Sequence, residues 1–245
     1  MNKLITIAFL PVIAFVFFAG RPADKKPAVL IYSKTNGYYH TSIPIGIATI
    51  KKFGEENGFT VDATTDSLQF TKENLKKYAA VIFLNTTLTV LGKEQEDALQ
   101  YYIQHGGGFV GVHSATDTEY DWPWYGKLVG AYFKNHPAQQ EAKLVITDKS
   151  NPATTGLPDT WELKEEWYNF KYLNPEITVL IKIDESSYKG GENGSNHPIS
   201  WYHNFEGGRA FYTELGHREE TYSNPYFLKH LLGGIEWAMS FKPKA

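Results

Sequence analysis

The chain has 245 residues, 42% of them hydrophobic, enough to bury one sizeable core. A net charge of −3 with scattered basic residues speaks against a nucleic-acid partner. Cysteine is absent, which excludes disulfides, thiolate metal ligands, lipid attachment through an N-terminal Cys and any thiol nucleophile.

Leu4 to Ala19 is an apolar run after Lys3, interrupted by Pro11 and followed by a polar, basic stretch. It falls short of the ~18–20 residues that a membrane span needs. Residues 1–22 therefore read as a secretory signal peptide, and the mature chain as a secreted or periplasmic protein with no stable membrane span. An uncleaved N-terminal anchor is the alternative. Residues 23–245 read as one domain.

Ala28 to Ser33 is a buried strand, and a loop containing Tyr38, Tyr39 and His40 leads from it to a helix with Ile43, Ile47, Ile50 and Phe53 at helical spacing. Asn57-Gly58 closes that helix before a second strand, Phe59 to Ala63. Thr71 caps a short helix, Ala79 to Leu84 is a third buried strand, and Gly92 to His105 is a helix turning Leu99, Tyr102 and Ile103 inward. Phe109 to Val112 is apolar on both faces and ends at His113 in Gly-Val-His-Ser-Ala, which has the form of a nucleophile elbow with histidine at its apex. Strands alternating with helices predict a doubly wound α/β fold around a mostly parallel sheet.

Beyond Asp117 the pattern turns to strands. Candidates are Glu141 to Asp148, Trp161 to Phe170, Thr178 to Ile183, Ile199 to Tyr202 and Gly208 to Leu215. Trp161–Phe170 and Thr178–Ile183 are expected to pair on an antiparallel edge. Tyr188 to Pro198, rich in Gly and Asn, reads as a mobile loop. Asn224 and Pro225 start a last helix with Phe227, Leu231, Ile235 and Ala238 on its apolar side.

Ligands in parallel sheets bind at the carboxyl ends of the strands. His40, His113 and His217 follow the first, central and last long strands, so they are predicted to meet. His105 and His230 read as structural, while His197 and His203 stay open. Of the acidic residues nearby, Glu166 lies in Glu-Glu-Trp-Tyr, where strand alternation should point one of the two glutamates inward. Histidine beside a carboxylate is an acid–base pair near neutral pH. Ser114 follows the elbow apex rather than occupying it, which disfavours it as a nucleophile. Several His plus Glu could also hold a divalent metal, although no tight His-x-x-x-His spacing supports it.

These residues sit in Tyr39-His40-Thr41-Ser42-Ile43, Gly107 to Thr118 (GGFVGVHSATDT), Asn135-His136-Pro137, Glu166-Trp167-Tyr168, Pro198-Ile199-Ser200-Trp201 and Gly208-Arg209 through Phe211 to His217. In these motifs the chain resembles the trehalose-utilisation (ThuA-like) family, whose flavodoxin-like fold is similar to that of the class I glutamine amidotransferases. The resemblance runs from Val29 to about Met239. Against the amidotransferase pattern, His113 stands where the catalytic Cys would be, so glutaminase activity is not expected. His217-Arg218-Glu219 resembles the motif supplying the catalytic His and carboxylate. The resemblance implies carbohydrate utilisation, with trehalose, related disaccharides or their 3-keto forms as substrate class.

The expectation is a secreted enzyme acting on a small carbohydrate, with His113 and His217 as acid and base and Glu166 assisting. His40, Tyr168 and Trp201 are expected to form the sugar-facing wall, with Ser114, Asp117 and His136 also at the substrate. This reading fixes no cofactor and leaves room for a divalent metal. A metal-dependent sugar hydrolase and a non-catalytic sugar-binding protein on the same scaffold are the alternatives.

Overall fold

The computed structural model describes residues 26–240. The apolar run Leu4–Ala19 and the expected signal cleavage region lie outside them. Among the described residues no helix is long and apolar enough to cross a membrane.

Four short apolar segments make the centre of the molecule. β1 (Ala28–Tyr32), β3 (Ala80–Leu84), β4 (Gly108–Val112) and β11 (Gly208–Thr213) lie side by side and parallel, with β2 (Thr60–Thr64) outside β1. Their alternation feeds two cores. Val29, Ile31, Ile82, Leu84, Val110 and Val112 face α1 (Ile43–Asn57) and α5 (Pro225–Met239). Leu30, Tyr32, Val81, Phe83 and Phe109 face α3 (Lys93–Gln104) and α4 (Pro123–Val129). Apolar residues on both sides of each strand demand a covered sheet on both sides, which is the doubly wound arrangement expected. The predicted caps form: Thr71 accepts from the Asn74 amide, and Asn224 from those of Tyr226 and Phe227.

Beyond β11 the sheet turns antiparallel through β10 (Pro198–Phe205), β9 (Thr178–Ile183), β6 (Gln140–Ile146) and β7 (Thr160–Glu165). Two expectations need correction here. The segment Trp161–Phe170 is not one strand, since β7 stops at Glu165 and β8 (Asn169–Leu173) leaves the main sheet to pair with β5 (Ala131–Asn135). Nor does β7 pair with β9, because β6 lies between them and hydrogen-bonds to both. The Gly/Asn-rich segment from Tyr188 to Pro198 is tied down rather than loose. Glu185 accepts from the amides of Asn193 and Gly194, and Asn169 binds Gly190 and Glu192.

His203 and His230 are buried and neutral, burial pushing each imidazole down to about 4. The unfolded chain therefore takes up protons below pH ~6.5 that the native chain refuses, so stability is full above that pH and falls toward pH 4. At pH 5 each residue should remove up to about 2 kcal/mol. Urea midpoints measured from pH 7 to 5 should fall accordingly, and His230→Gln should flatten the slope. An unchanged slope in that variant would contradict the assignment.

Candidate functional site

Each strand end delivers its residue by a local device. At the end of β4 the backbone of His113 enters the left-handed region (φ 48°), and the small residues Gly111 and Ala115 let the chain turn. Such a φ in a non-glycine residue is strained, and in that respect the elbow forms as expected. After β11 the chain passes through Gly216 (φ 115°) to His217. After β1 the loop carrying His40 is pinned across the top, where the Ser42 hydroxyl donates to the Gly216 carbonyl (2.8 Å). The Asn85 amide, at the end of β3, donates to Ser42 Oγ and to that same carbonyl, both at 3.2 Å.

The three imidazoles meet. Ring centroids are 4.8 Å apart for His40–His113, 5.0 Å for His113–His217 and 5.1 Å for His40–His217, with interplanar angles of 84°, 73° and 89°. Glu166 joins them from the turn that follows β7. Its Oε2 lies 3.1 Å from His217 Nδ1 and 3.4 Å from His113 Nε2, while Oε1 lies 3.4 Å from His136 Nδ1. His217 Nδ1 and His113 Nε2 are 3.1 Å apart, and the Tyr168 hydroxyl is 3.0 Å from the latter.

Charge follows from this packing. Burial alone would raise the Glu166 carboxyl, but hydrogen bonds and charge from His113 and His217 hold it well below the usual carboxylate range. His40 is driven down to about 2, first by burial and then by repulsion from the neighbouring imidazoles, so its ring is neutral. Burial and the nearby Glu166 charge raise the Tyr168 phenol, which stays protonated with its hydroxyl 3.0 Å from His113 Nε2. The nitrogen on the far side of the His113 ring, Nδ1, faces the Glu214 carbonyl at 2.8 Å. A carbonyl only accepts, so Nδ1 carries a proton and the ring turns Nε2 toward the cluster.

A second layer fixes these groups. Both glutamates of the 165–166 pair are buried, not one. Glu165 Oε1 accepts from the Gly216 amide (3.1 Å), the Arg218 amide (3.2 Å) and the Thr221 hydroxyl (2.7 Å), and Oε2 from the Glu166 amide (3.0 Å). One carboxylate thus ties the His217 loop to the residue that carries Glu166. Glu214, whose carboxyl burial pushes well above the usual range, accepts the Tyr168 amide at 2.6 Å. His197 engages the Tyr168 carbonyl at 2.8 Å from its other side.

Above the cluster is a hollow of 220 Å³ lined by Tyr38, His40, Phe133, His136, Gln139, Glu166, Tyr168 and His217. It adjoins a wider, polar basin of 600 Å³ that shares Tyr38, Gln139 and His217. The β5–β8 ribbon supplies its aromatic wall, with Phe133 and Tyr168 rings 4.3 Å apart. A further hollow of 410 Å³, lined in part by Lys26, Lys72, Lys76 and Tyr101, lies at the opposite end of the strands from the elbow. There is no comparable convergence of histidines there.

Of the residues singled out by sequence, His40, His113, Glu166, His217, Tyr168 and His136 come together. Ser114 lies just behind, its Oγ 3.5 Å from His40 Nδ1. Trp201 does not reach the pocket: it is fully buried, donates to the Val129 carbonyl and stacks on Tyr212. Asp117 accepts from the Tyr120 hydroxyl (2.5 Å) and is absent from the pocket lining. Tyr38, Phe133 and Gln139 went unmarked in the sequence; the Tyr38-Tyr39 pair beside His40 was the one available signal. His105 and His230 are structural as expected, the first on the Tyr101 carbonyl, the second between Ser200 and the Ala153 carbonyl.

A parallel sheet with a strained elbow after its central strand, and a histidine loop after the next, defines a class I glutamine amidotransferase-like fold with histidine at the nucleophile position. The chain belongs to the ThuA family, described as trehalose utilisation, whose sequence profile it matches over residues 28–238. Among solved structures it is similar to a ThuA-like protein from Bacteroides uniformis, at 27% identity and a TM-score of 0.77, over 92% of this chain and 97% of that one. A ThuA-like protein from Parabacteroides merdae is similar at 22% identity and a TM-score of 0.71, over 90% and 93%. A β-galactosidase from Bacillus circulans shares the fold alone, at 13% identity and a TM-score of 0.56, over 89% of this chain and 32% of its own. Comparison with curated protein sequences finds no match.

Proposed function

We propose that this chain is a carbohydrate-active enzyme, exported from the cytoplasm, that acts on a small sugar or keto-disaccharide at the His113–His217–Glu166 centre. The observation that carries the proposal is the meeting of three strand-end imidazoles and a carboxylate directly beneath an aromatic-walled hollow. Family membership supports the carbohydrate part of the reading. Tyr38, Phe133 and Tyr168 give the hollow an aromatic lining, a surface suited to the apolar side of a pyranose.

His217 and Glu166 border the hollow, so a substrate seated there meets an imidazole and a carboxylate, with His113 immediately behind. Glu166 is shared by three imidazoles and stabilises whichever one accepts a proton. This arrangement suits proton transfer next to a carbonyl, as in isomerisation or cleavage of a 3-keto-glycoside, and it needs no covalent nucleophile.

Incubating the purified protein with a panel of disaccharides and their 3-keto forms, followed by mass spectrometry, should yield product from at least one keto-sugar. Removing the Tyr38 ring (Tyr38→Ala) should raise KM roughly tenfold while sparing kcat. Calorimetric binding of sugars with no product from any of them would replace the enzyme reading with a binding role.

A further inference from the structure

His113 Nε2 is oversubscribed. Three polar groups crowd this one atom: the Tyr168 hydroxyl at 3.0 Å, His217 Nδ1 at 3.1 Å and Glu166 Oε2 at 3.4 Å. Nδ1 is committed to the Glu214 carbonyl, so Nε2 is the ring atom that His113 turns into the group. A cation at the centre of the group would be met by donor atoms of all its members together.

We propose that His40, His113, His217 and Glu166 form a binding site for one divalent first-row transition metal ion. The proposal deepens the functional reading above and rests on the same pocket. The four donor atoms lie within 4.8 Å of one another. The three edges of the group defined by His113 Nε2, His217 Nδ1 and Glu166 Oε2 measure 3.1, 3.1 and 3.4 Å. Four ligands held tetrahedrally at ~2.0–2.1 Å require edges of about 3.4 Å, so this face is already at coordination spacing. His40 supplies the remaining corner, its ring edge-on to those of His113 and His217 at centroid distances of 4.8 and 5.1 Å.

The outer groups fit as well. Ligating histidines bind a hydrogen-bonding partner through the second ring nitrogen, which orients them. His113 has the Glu214 carbonyl, His217 has the Gln139 amide on Nε2 at 2.7 Å, and His40 has Ser114 Oγ at 3.5 Å. The Gln139 amide nitrogen faces Nε2 while its oxygen accepts from Arg218 at 3.0 Å. An ion on Nδ1 would leave Nε2 protonated, and the amide would then turn over, passing its oxygen from Arg218 to Nε2–H. Imidazole-rich sites select zinc and its neighbours, while calcium and magnesium prefer all-oxygen shells. His40, Glu166 and His217 line the 220 Å³ hollow, so a fifth position on the ion would face the substrate space and bring a sugar oxygen within its reach.

The test uses the full chain stripped with EDTA and titrated with zinc alone by competition calorimetry, with no sugar present. One ion per chain is expected, unaffected by excess calcium. His217→Ala and Glu166→Gln should each weaken binding at least 100-fold, and Gln139→Leu 10- to 100-fold. His105→Ala, on the far end of α3, should leave it unchanged. Near-UV circular dichroism of the stripped variants checks folding; if Glu166→Gln does not fold, the rim variants His217→Ala and Gln139→Leu carry the comparison. Substoichiometric zinc, preference for calcium, or full affinity in His217→Ala and Gln139→Leu would overturn the proposal. Sugar turnover by metal-stripped protein would refute a catalytic role for the ion and leave the enzyme reading standing, whereas zinc-loaded protein that converts no sugar would refute the enzyme reading alone.

Discussion

His113→Asn is expected to lower kcat on the keto-sugar substrate by about 10²- to 10⁴-fold, the range typical for a positioned acid–base group, while leaving the protein folded. Asn is the conservative choice because residue 113 has φ 48°, a left-handed conformation that Asn tolerates better than other non-glycine residues. The backbone anchor of the elbow survives, since the Tyr212 hydroxyl donates to the carbonyl of residue 113 at 2.7 Å irrespective of the side chain. What goes is the ring that fills the space between Glu214, Tyr168, Glu166 and His217. Steady-state kinetics together with near-UV circular dichroism would check both parts. Turnover within tenfold of the parent would remove His113 from the reacting centre. By contrast His136, two-fifths exposed at the rim, should be replaceable by Ala at a smaller cost in kcat.

The second large effect is on stability. Glu165→Leu should destabilise the fold by about 4 kcal/mol or more, because it strands the Gly216, Arg218 and Glu166 amides and the Thr221 hydroxyl, and each buried donor left unpaired costs about 1–3 kcal/mol. For a chain of this length that corresponds to a fall in Tm of roughly 8–16 °C. Glu165→Gln keeps an accepting oxygen and should recover part of the loss. Activity should drop in both variants, since the same carboxylate holds the His217 loop against the turn carrying Glu166. Urea unfolding of the two variants is the measurement. A loss below 1 kcal/mol in Glu165→Leu would mean that water takes over the four donors and that Glu165 is not the tie described.

Much of the site was legible before the structure. His40, His113 and His217 were expected to meet because each follows an apolar run short enough to be a central strand, and parallel strands end on one edge. The elbow was legible from Gly-Val-His-Ser-Ala, since only a sharp turn uses small residues in that spacing. Glu166 was half legible. Alternation sends one of two adjacent strand residues inward, but β7 stops at Glu165 and the rule lapses in the turn that follows, so both carboxylates go in. Trp201 misled because an aromatic near a predicted strand end looks the same whether it lines a pocket or packs the core. Its register opposite Tyr212 in β11 turns it toward α4. Phe133 and Gln139 carried no local mark, being placed by the β5–β8 ribbon and by the stretch that follows it.

The sequence by itself determined the doubly wound core, its caps, the elbow and the edge on which chemistry gathers. These depend on side-chain periodicity and on the handedness of crossovers, both set within a few tens of residues. Only the tertiary structure decided which strands pair beyond β11, how β8 leaves the sheet to wall the pocket, and that Glu166 reaches three imidazoles at once. Those outcomes depend on competition among distant segments for the same hydrogen bonds and the same buried volume. No local pattern encodes the winner.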